Sequence, residues 1–142
     1  MNKIKLNLGC ASRLMPGYIN IDLDSIEEIK TRYPNINIDE RQQFLQANIL
    51  NLPFENGTID EVRADAFLEH MSFIEEAKTF KEVYRVLKSG GLFVFSVPDF
   101  EDTVKKWLAA EEDWREFYRD DEEAIDQCHW FGQYSYSTSS RW

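Results

Sequence analysis

Gly9 ends a short apolar run, Leu6-Asn7-Leu8-Gly9-Cys10-Ala11-Ser12, and it is the first position in this chain where chemistry could sit. Glycine lets a ligand approach the backbone closely, and nucleotides bind at the carboxyl ends of strands in open α/β sheets. A simple tight turn is the competing reading. Asp22 closes the next apolar run, Tyr18 to Leu23. A carboxylate only accepts hydrogen bonds and has two oxygens, which suits the two hydroxyls of a ribose. Asp24 is a rival for that role, and a solvated strand-end acid or a helix cap is the plainer alternative. The step from Gly9 to Asp22 falls short of the roughly twenty residues expected of a dinucleotide fingerprint. That argues against a nicotinamide-dependent oxidoreductase.

Two further clusters follow. In Asn48-Ile49-Leu50-Asn51-Leu52-Pro53, the Asn48 amide could meet the exocyclic amine of an adenine, with Ile49 or Leu50 packing on the ring. Asn48 could equally satisfy loop backbone. Phe67-Leu68-Glu69-His70 precedes the clearest helix. The unperturbed pKa of histidine lies near neutrality, so His70 could act as a base. It could also tie down the loop, and Glu69 has the same two readings.

The elements that must position these groups alternate short apolar runs with amphipathic stretches, the pattern of a βα sheet. Lys3 to Leu8 and Tyr18 to Leu23 read as strands. Only Gly9 to Gly17 lie between them, with Pro16-Gly17 as a turn signal. A parallel crossover with a full helix needs a dozen residues or more, so this one is abbreviated to at most one helical turn. Ser25 to Tyr33 suits a helix capped by Asp24 or Ser25 and stopped by Pro34. Phe44 to Ile49 and Ile59 to Ala64 read as strands three and four. The longest helix spans about Phe73 to Leu87, opened by a Ser72/Glu75 capping box. Phe73, Ala77, Phe80, Tyr84 and Leu87, widened by Ile74 and Val83, form its expected core stripe. Gly90 or Gly91 is its expected left-handed cap. Leu92 to Val97 is a continuous apolar strand, and a last helix starts near Glu101, capped by Asp99, with Val104, Trp107 and Leu108 inward. Trp114, Phe117 and Tyr118 could extend it. Past about Asp120 no period is visible, and the roles of Trp114, Trp130 and Trp142 stay open.

The 142 residues suit one domain, with 1–100 as a ligand-binding core and 101–142 as a helical and irregular segment. With 43% hydrophobic residues the chain can build a real core. No apolar run is long enough to span a bilayer and no signal-peptide core follows Met1, so a cytoplasmic location is expected. Cys10 and Cys128 have no metal-ligand spacing and form no disulfide framework, so no metal site is expected. The net charge of −10 repels phosphate backbones, which argues against nucleic-acid partners.

Taken in order, Leu6-Asn7-Leu8-Gly9-Cys10, Pro16-Gly17-Tyr18-Ile19-Asn20-Ile21-Asp22, Leu52-Pro53-Phe54, Ile59-Asp60-Glu61-Val62, Leu68-Glu69-His70 and Tyr84-Arg85-Val86-Leu87-Lys88-Ser89-Gly90-Gly91 resemble the class I S-adenosylmethionine-dependent methyltransferases, in particular the small bacterial type with a shortened first crossover. The resemblance covers about residues 3 to 100. It implies a Rossmann-like α/β sheet of strand order 3-2-1-4-5, the family fold being completed by strands in order 7-6. It implies S-adenosylmethionine as methyl donor, S-adenosylhomocysteine as product and a small-molecule acceptor, with a sugar or polysaccharide precursor as one class. The loop Gly9 to Ala11 would run under the methionine part of the donor. Asp22 would take the ribose, Asn48 and Ile49 would border adenine, and Ala64 and Asp65 would lie near the amino-acid end. Asn7, Cys10, Leu23 and Leu50 complete the expected donor contacts. His70 is the first candidate for a catalytic base and Glu69 the second.

Three departures stand out. The family usually has glycine at Ala11 and an acid at Asn48. Strands 6 and 7 are not visible after Pro98, so they are expected to be missing, which would leave a bare sheet edge and favour a homo-oligomer. These departures keep a second reading in play, a donor-binding module without catalysis.

Overall fold

The computed structural model describes residues 3–38, 41–109 and 135–141. Among the described residues, six strands form one sheet in the order β3-β2-β1-β4-β5-β6. They are β1 (Lys5–Leu8), β2 (Ile19–Asp22), β3 (Gln43–Gln46), β4 (Ile59–Asp65), β5 (Leu87–Pro98) and β6 (Ser135–Arg141). The first five run parallel in the expected order 3-2-1-4-5, and β6 pairs antiparallel with β5.

Alternation along the strands gives the sheet two unlike faces. The registers bring Lys5 opposite Glu61, Asn7 opposite both Asn20 and Arg63, and Asp65 opposite Ser96. One face is therefore largely polar. The other carries Leu6, Leu8, Ile21, Val62, Ala64 and Phe93, all buried. Helix α2 (Phe73–Val86) brings Val83 and Val86 to that core. Its Phe80 ring meets Phe93 and Phe95 edge-on, at centroid distances of 5.7 and 5.9 Å.

The α2 start is as expected: the Ser72 hydroxyl accepts from Glu75 N–H while Glu75 accepts from Ser72 N–H. Its outward face differs from expectation. Phe73, Ile74 and Tyr84 are 84%, 67% and 66% exposed, and Ala77 is exposed too. The buried stripe is Thr79, Val83 and Val86. Apolar residues occupy more than half of this helix's circumference, and only the arc facing the sheet is buried. The helix also ends without a glycine cap. Leu87 is already extended and donates to Val83 O. Gly90, at φ +76°, instead serves the bulge by which β5 shifts register between Ile59 and Glu61.

Helix α1 (Ile26–Arg32) is capped by Ser25, in a capping box with Glu28. Asp24 is bound instead to Arg32 at 2.6 Å. β3 stops at Gln46, because Asn48 caps a 3₁₀ turn over Ile49–Asn51. Helix α3 (Phe100–Ala109) begins where Asp99 accepts from Asp102 N–H at 2.9 Å. The side chains of Trp107 and Leu108, and all of Trp114, Phe117, Tyr118, Cys128, Trp130 and Trp142, lie outside the described residues. Among the described residues, no helix is long and apolar enough to cross a membrane.

One strand follows Pro98: Ser135–Arg141 pairs antiparallel with β5 from Leu92 to Pro98, and among the described residues the pair that completes the family fold is not present. The sequence Ser-Tyr-Ser-Thr-Ser-Ser-Arg lacks the apolar alternation that signals a strand. An unpaired row of β5 backbone groups can order such a segment whatever its side chains. β6 therefore covers the β5 edge and becomes the edge strand itself.

Candidate functional site

The β1–β2 crossover contains no helix, so its backbone must find other partners. Two buried amides supply them. Asn7 Nδ2 donates to Arg13 O at 2.9 Å and to Asn20 Oδ1 at 2.8 Å. Asn20 Oδ1 also accepts from Met15 N–H at 2.7 Å, and its Nδ2 reaches Met15 O, Tyr18 O and Gln43 O. Asn7, expected among the donor contacts, therefore spends both amide hydrogens on shaping the loop.

The loop enters through Gly9 at φ +60°. A Cβ there would come within 2.0 Å of the Phe67 ring, so only glycine fits beneath that ring. Cys10 N–H donates to Ile21 O. The Cys10 thiol is pushed up to about 12, first by burial and then by the nearby Asp22 charge, so it does not serve as a nucleophile at neutral pH. Ala11 sits at φ +40°, the left-handed region that the family's usual glycine would enter without strain. Its N–H donates to Asp22 Oδ2 at 2.8 Å, and Asp24 N–H donates to Asp22 Oδ1 at 3.2 Å. Asp22 is thus held by backbone on both oxygens, each with a further lone pair to offer.

A cavity of about 420 Å³ opens at the carboxyl ends of β1, β4 and β5, lined by Asn7, Gly9, Cys10, Arg13, Met15, Arg63, Asp65 and Ser96. Asp65 accepts from Arg63 Nε at 2.6 Å and from Ser96 Oγ at 3.1 Å. Arg63 is raised first by that bond to Asp65. Below it on the same sheet face, Glu61 accepts from Tyr18 and pairs with Lys5 at 3.3 Å. Burial works to raise Glu61, but the bonds from Tyr18 and Lys5 outweigh it and hold the carboxyl below its usual range.

Four expected donor residues, Asn7, Gly9, Cys10 and Asp65, line this cavity, and Ala11 and Asp22 are tied to the same loop. Others lie elsewhere. The Ile49 and Ala64 side chains are in the core cluster. Leu50, half-buried, remains free to pack on a ring, and Leu23 is 67% exposed. Asn48 Oδ1 accepts from Leu50 N–H at 2.9 Å, the loop-satisfying role. Glu69 and His70 are exposed on a 3₁₀ turn, Leu68–His70, and neither lines the cavity. Sequence reasoning missed Arg13, Met15, Arg63 and Ser96. The alternation Glu61, Arg63, Asp65 on β4 was a usable signal for Arg63, since it places all three on the face of Asp65.

Comparison with known proteins is consistent across sequence and fold. Residues 8–95 match a family model described as a methyltransferase domain. A probable S-adenosylmethionine-dependent methyltransferase of Mycobacterium tuberculosis is 26% identical over 92 residues, 65% of this chain and 30% of that protein. A sterol 24-C-methyltransferase of Schizosaccharomyces pombe is 37% identical over 57 residues, 40% of this chain and 15% of that one. The chain thus spans about 30% or less of the length of these curated relatives. A solved protein of Pyrococcus horikoshii superposes with TM-score 0.61 at 20% identity, covering 99% of this chain and 82% of its own. A solved S-adenosylmethionine-dependent methyltransferase of Methanosarcina mazei does so with TM-score 0.53 at 25% identity, covering 81% and 62%.

Proposed function

Because the chain belongs to the class I S-adenosylmethionine-dependent methyltransferase family, we propose that it binds S-adenosylmethionine across the carboxyl ends of β1, β2 and β4 and transfers the methyl group to a small-molecule acceptor. The observation that carries this reading is Asp22, a carboxylate anchored by Ala11 N–H at 2.8 Å on the glycine loop that borders the cavity. The residues suit the donor chemically. Asp22 can accept from both ribose hydroxyls, the Gly9–Ala11 backbone leaves room for the methionine chain, and Asp65 offers a carboxylate to an ammonium. Leu50 and the Asn48 loop are the candidates for the adenine. Residues 1–100 form the donor-binding core in this reading, in a protein of the cytoplasm.

When bound, the donor supplies an electrophilic methyl carbon on a sulfonium. The protein's share is to hold it and the acceptor within about 3–3.5 Å. A base is needed only for a hydroxyl or a protonated amine. His70 and then Glu69 are the candidates, reaching the acceptor from the 3₁₀ turn after β4. Sugars and polysaccharide precursors are the first acceptors to screen. If His70 is the base, His70→Ala loses turnover and its pH dependence flattens, with S-adenosylhomocysteine affinity unchanged.

The position of Glu69 and His70 outside the cavity lining favours a second reading: donor binding without catalysis, in a module that works through interaction. Calorimetry with S-adenosylmethionine, S-adenosylhomocysteine and NAD, followed by acceptor screening, tests both. Folded protein that binds neither sulfur nucleotide overturns both readings. Binding without turnover on any acceptor supports the second.

A further inference from the structure

We propose that Arg13 is the residue that anchors the α-carboxylate of the donor's amino-acid end. This rests on the donor-binding reading above and adds a residue and a ligand group to it. In a chain of formal charge −10, the cavity lining carries two guanidiniums, Arg13 and Arg63, against one carboxylate, Asp65. Arg63 is committed, because its Nε is bound to Asp65 at 2.6 Å. Arg13 has no ion pair among the described residues. The cavity lining therefore presents an exposed guanidinium without an ion-pair partner, which points to an anionic group in its occupant.

The backbone beneath Arg13 is fixed from two sides. Its N–H donates to Cys10 O at 2.7 Å and its carbonyl accepts from Asn7 Nδ2 at 2.9 Å. The abbreviated crossover thus holds Arg13 on a pinned stem at the cavity. A planar guanidinium can grip a carboxylate with two parallel bonds and is less strongly hydrated than an ammonium, so it suits this site. Asp65, in the same lining, accepts from Arg63 and Ser96 and keeps a further lone pair on each oxygen for the ammonium of the same amino acid.

The test compares two ligands that share adenosine and thioether but differ in the amino-acid end. S-adenosylhomocysteine carries the carboxylate, and 5′-methylthioadenosine lacks it. Calorimetry on the full chain would use the natural sequence, Arg13→Ala and Arg13→Lys, with circular dichroism to confirm folding. Arg13→Ala is expected to weaken S-adenosylhomocysteine roughly tenfold, in line with one charged hydrogen-bonded contact at a partly solvated site. It should leave 5′-methylthioadenosine within about twofold, and Arg13→Lys should recover part of the loss. Equal loss for both ligands would make Arg13 a loop-shaping residue, and no loss for either would remove it from the site. Both outcomes overturn the proposal while the donor reading stands. Natural-sequence protein that binds neither ligand overturns the donor reading, and this proposal with it.

Discussion

Ala11 shows how much one residue type can matter in this site. Its φ of +40° belongs to the left-handed region, where a side chain costs about 1–2 kcal/mol. Glycine would relieve that strain but adds about 0.4–1 kcal/mol of unfolded-chain freedom. Ala11→Gly is therefore expected to stabilise the fold by about 0.5–1 kcal/mol. A thermal melt should show the midpoint rising, and a fall would mean that Ala11 makes a contact worth more than its strain. The Asp22 anchor is a second residue-scale feature. Ala11 N–H reaches Asp22 only because the left-handed turn aims it there, so the strain and the anchor come from the same turn.

At the scale of elements, two polar clusters take the place of missing regular structure. The β1–β2 crossover depends on Asn20, which is fully buried and bonds to four backbone groups and to Asn7. Asn20→Ala would leave several buried groups unpaired, at a cost of about 3 kcal/mol. A urea titration should show the midpoint falling while the slope holds. On the other side of the sheet, Arg85 joins α2 to the loop before β4. Its guanidinium donates to Leu52 O, Phe54 O and Asn56 Oδ1, while Glu82 braces it and accepts from Leu52 N–H. The Arg85 bonds hold the Glu82 carboxyl below its usual range, burial opposes this, and the Leu52 N–H assists. A depressed carboxyl stabilises the fold above its unfolded pKa and loses that contribution as pH falls through the folded value. Glu82→Gln should therefore cost about 1 kcal/mol near pH 7, after discounting for solvent screening. The difference from the natural sequence should close as pH drops below about 4. A gap that persists in acid would assign the effect to packing instead.

For the whole molecule, the two-faced sheet organises everything else. Its apolar face packs under α2, and its largely polar face carries Lys5, Asn7, Glu61, Arg63 and Asp65 up to the cavity. The antiparallel β6 completes the β5 edge. A chain shortened to end before Ser135 should expose that edge and self-associate. Sedimentation velocity would show a larger species for the shortened chain than for the full one, and an unchanged sedimentation coefficient would mean that β6 does not guard the edge.

How much was legible in the sequence follows from range. Local signals identified the glycine turn, the Ser72 cap and the shortened crossover, because each depends on residues a few positions apart. The parallel order 3-2-1-4-5 followed from family resemblance carried by the same motifs. The tertiary structure decided what depends on distant partners. It turned Ile49 and Ala64 into the core, left Phe73 and Tyr84 outside, and gave Arg85 its loop backbone carbonyls 31 and 33 residues away. It also paired Ser135–Arg141 with β5, a strand with no apolar pattern of its own. The face a side chain takes, and the backbone group it meets, are set by packing across the sheet, and no short window of sequence contains both partners.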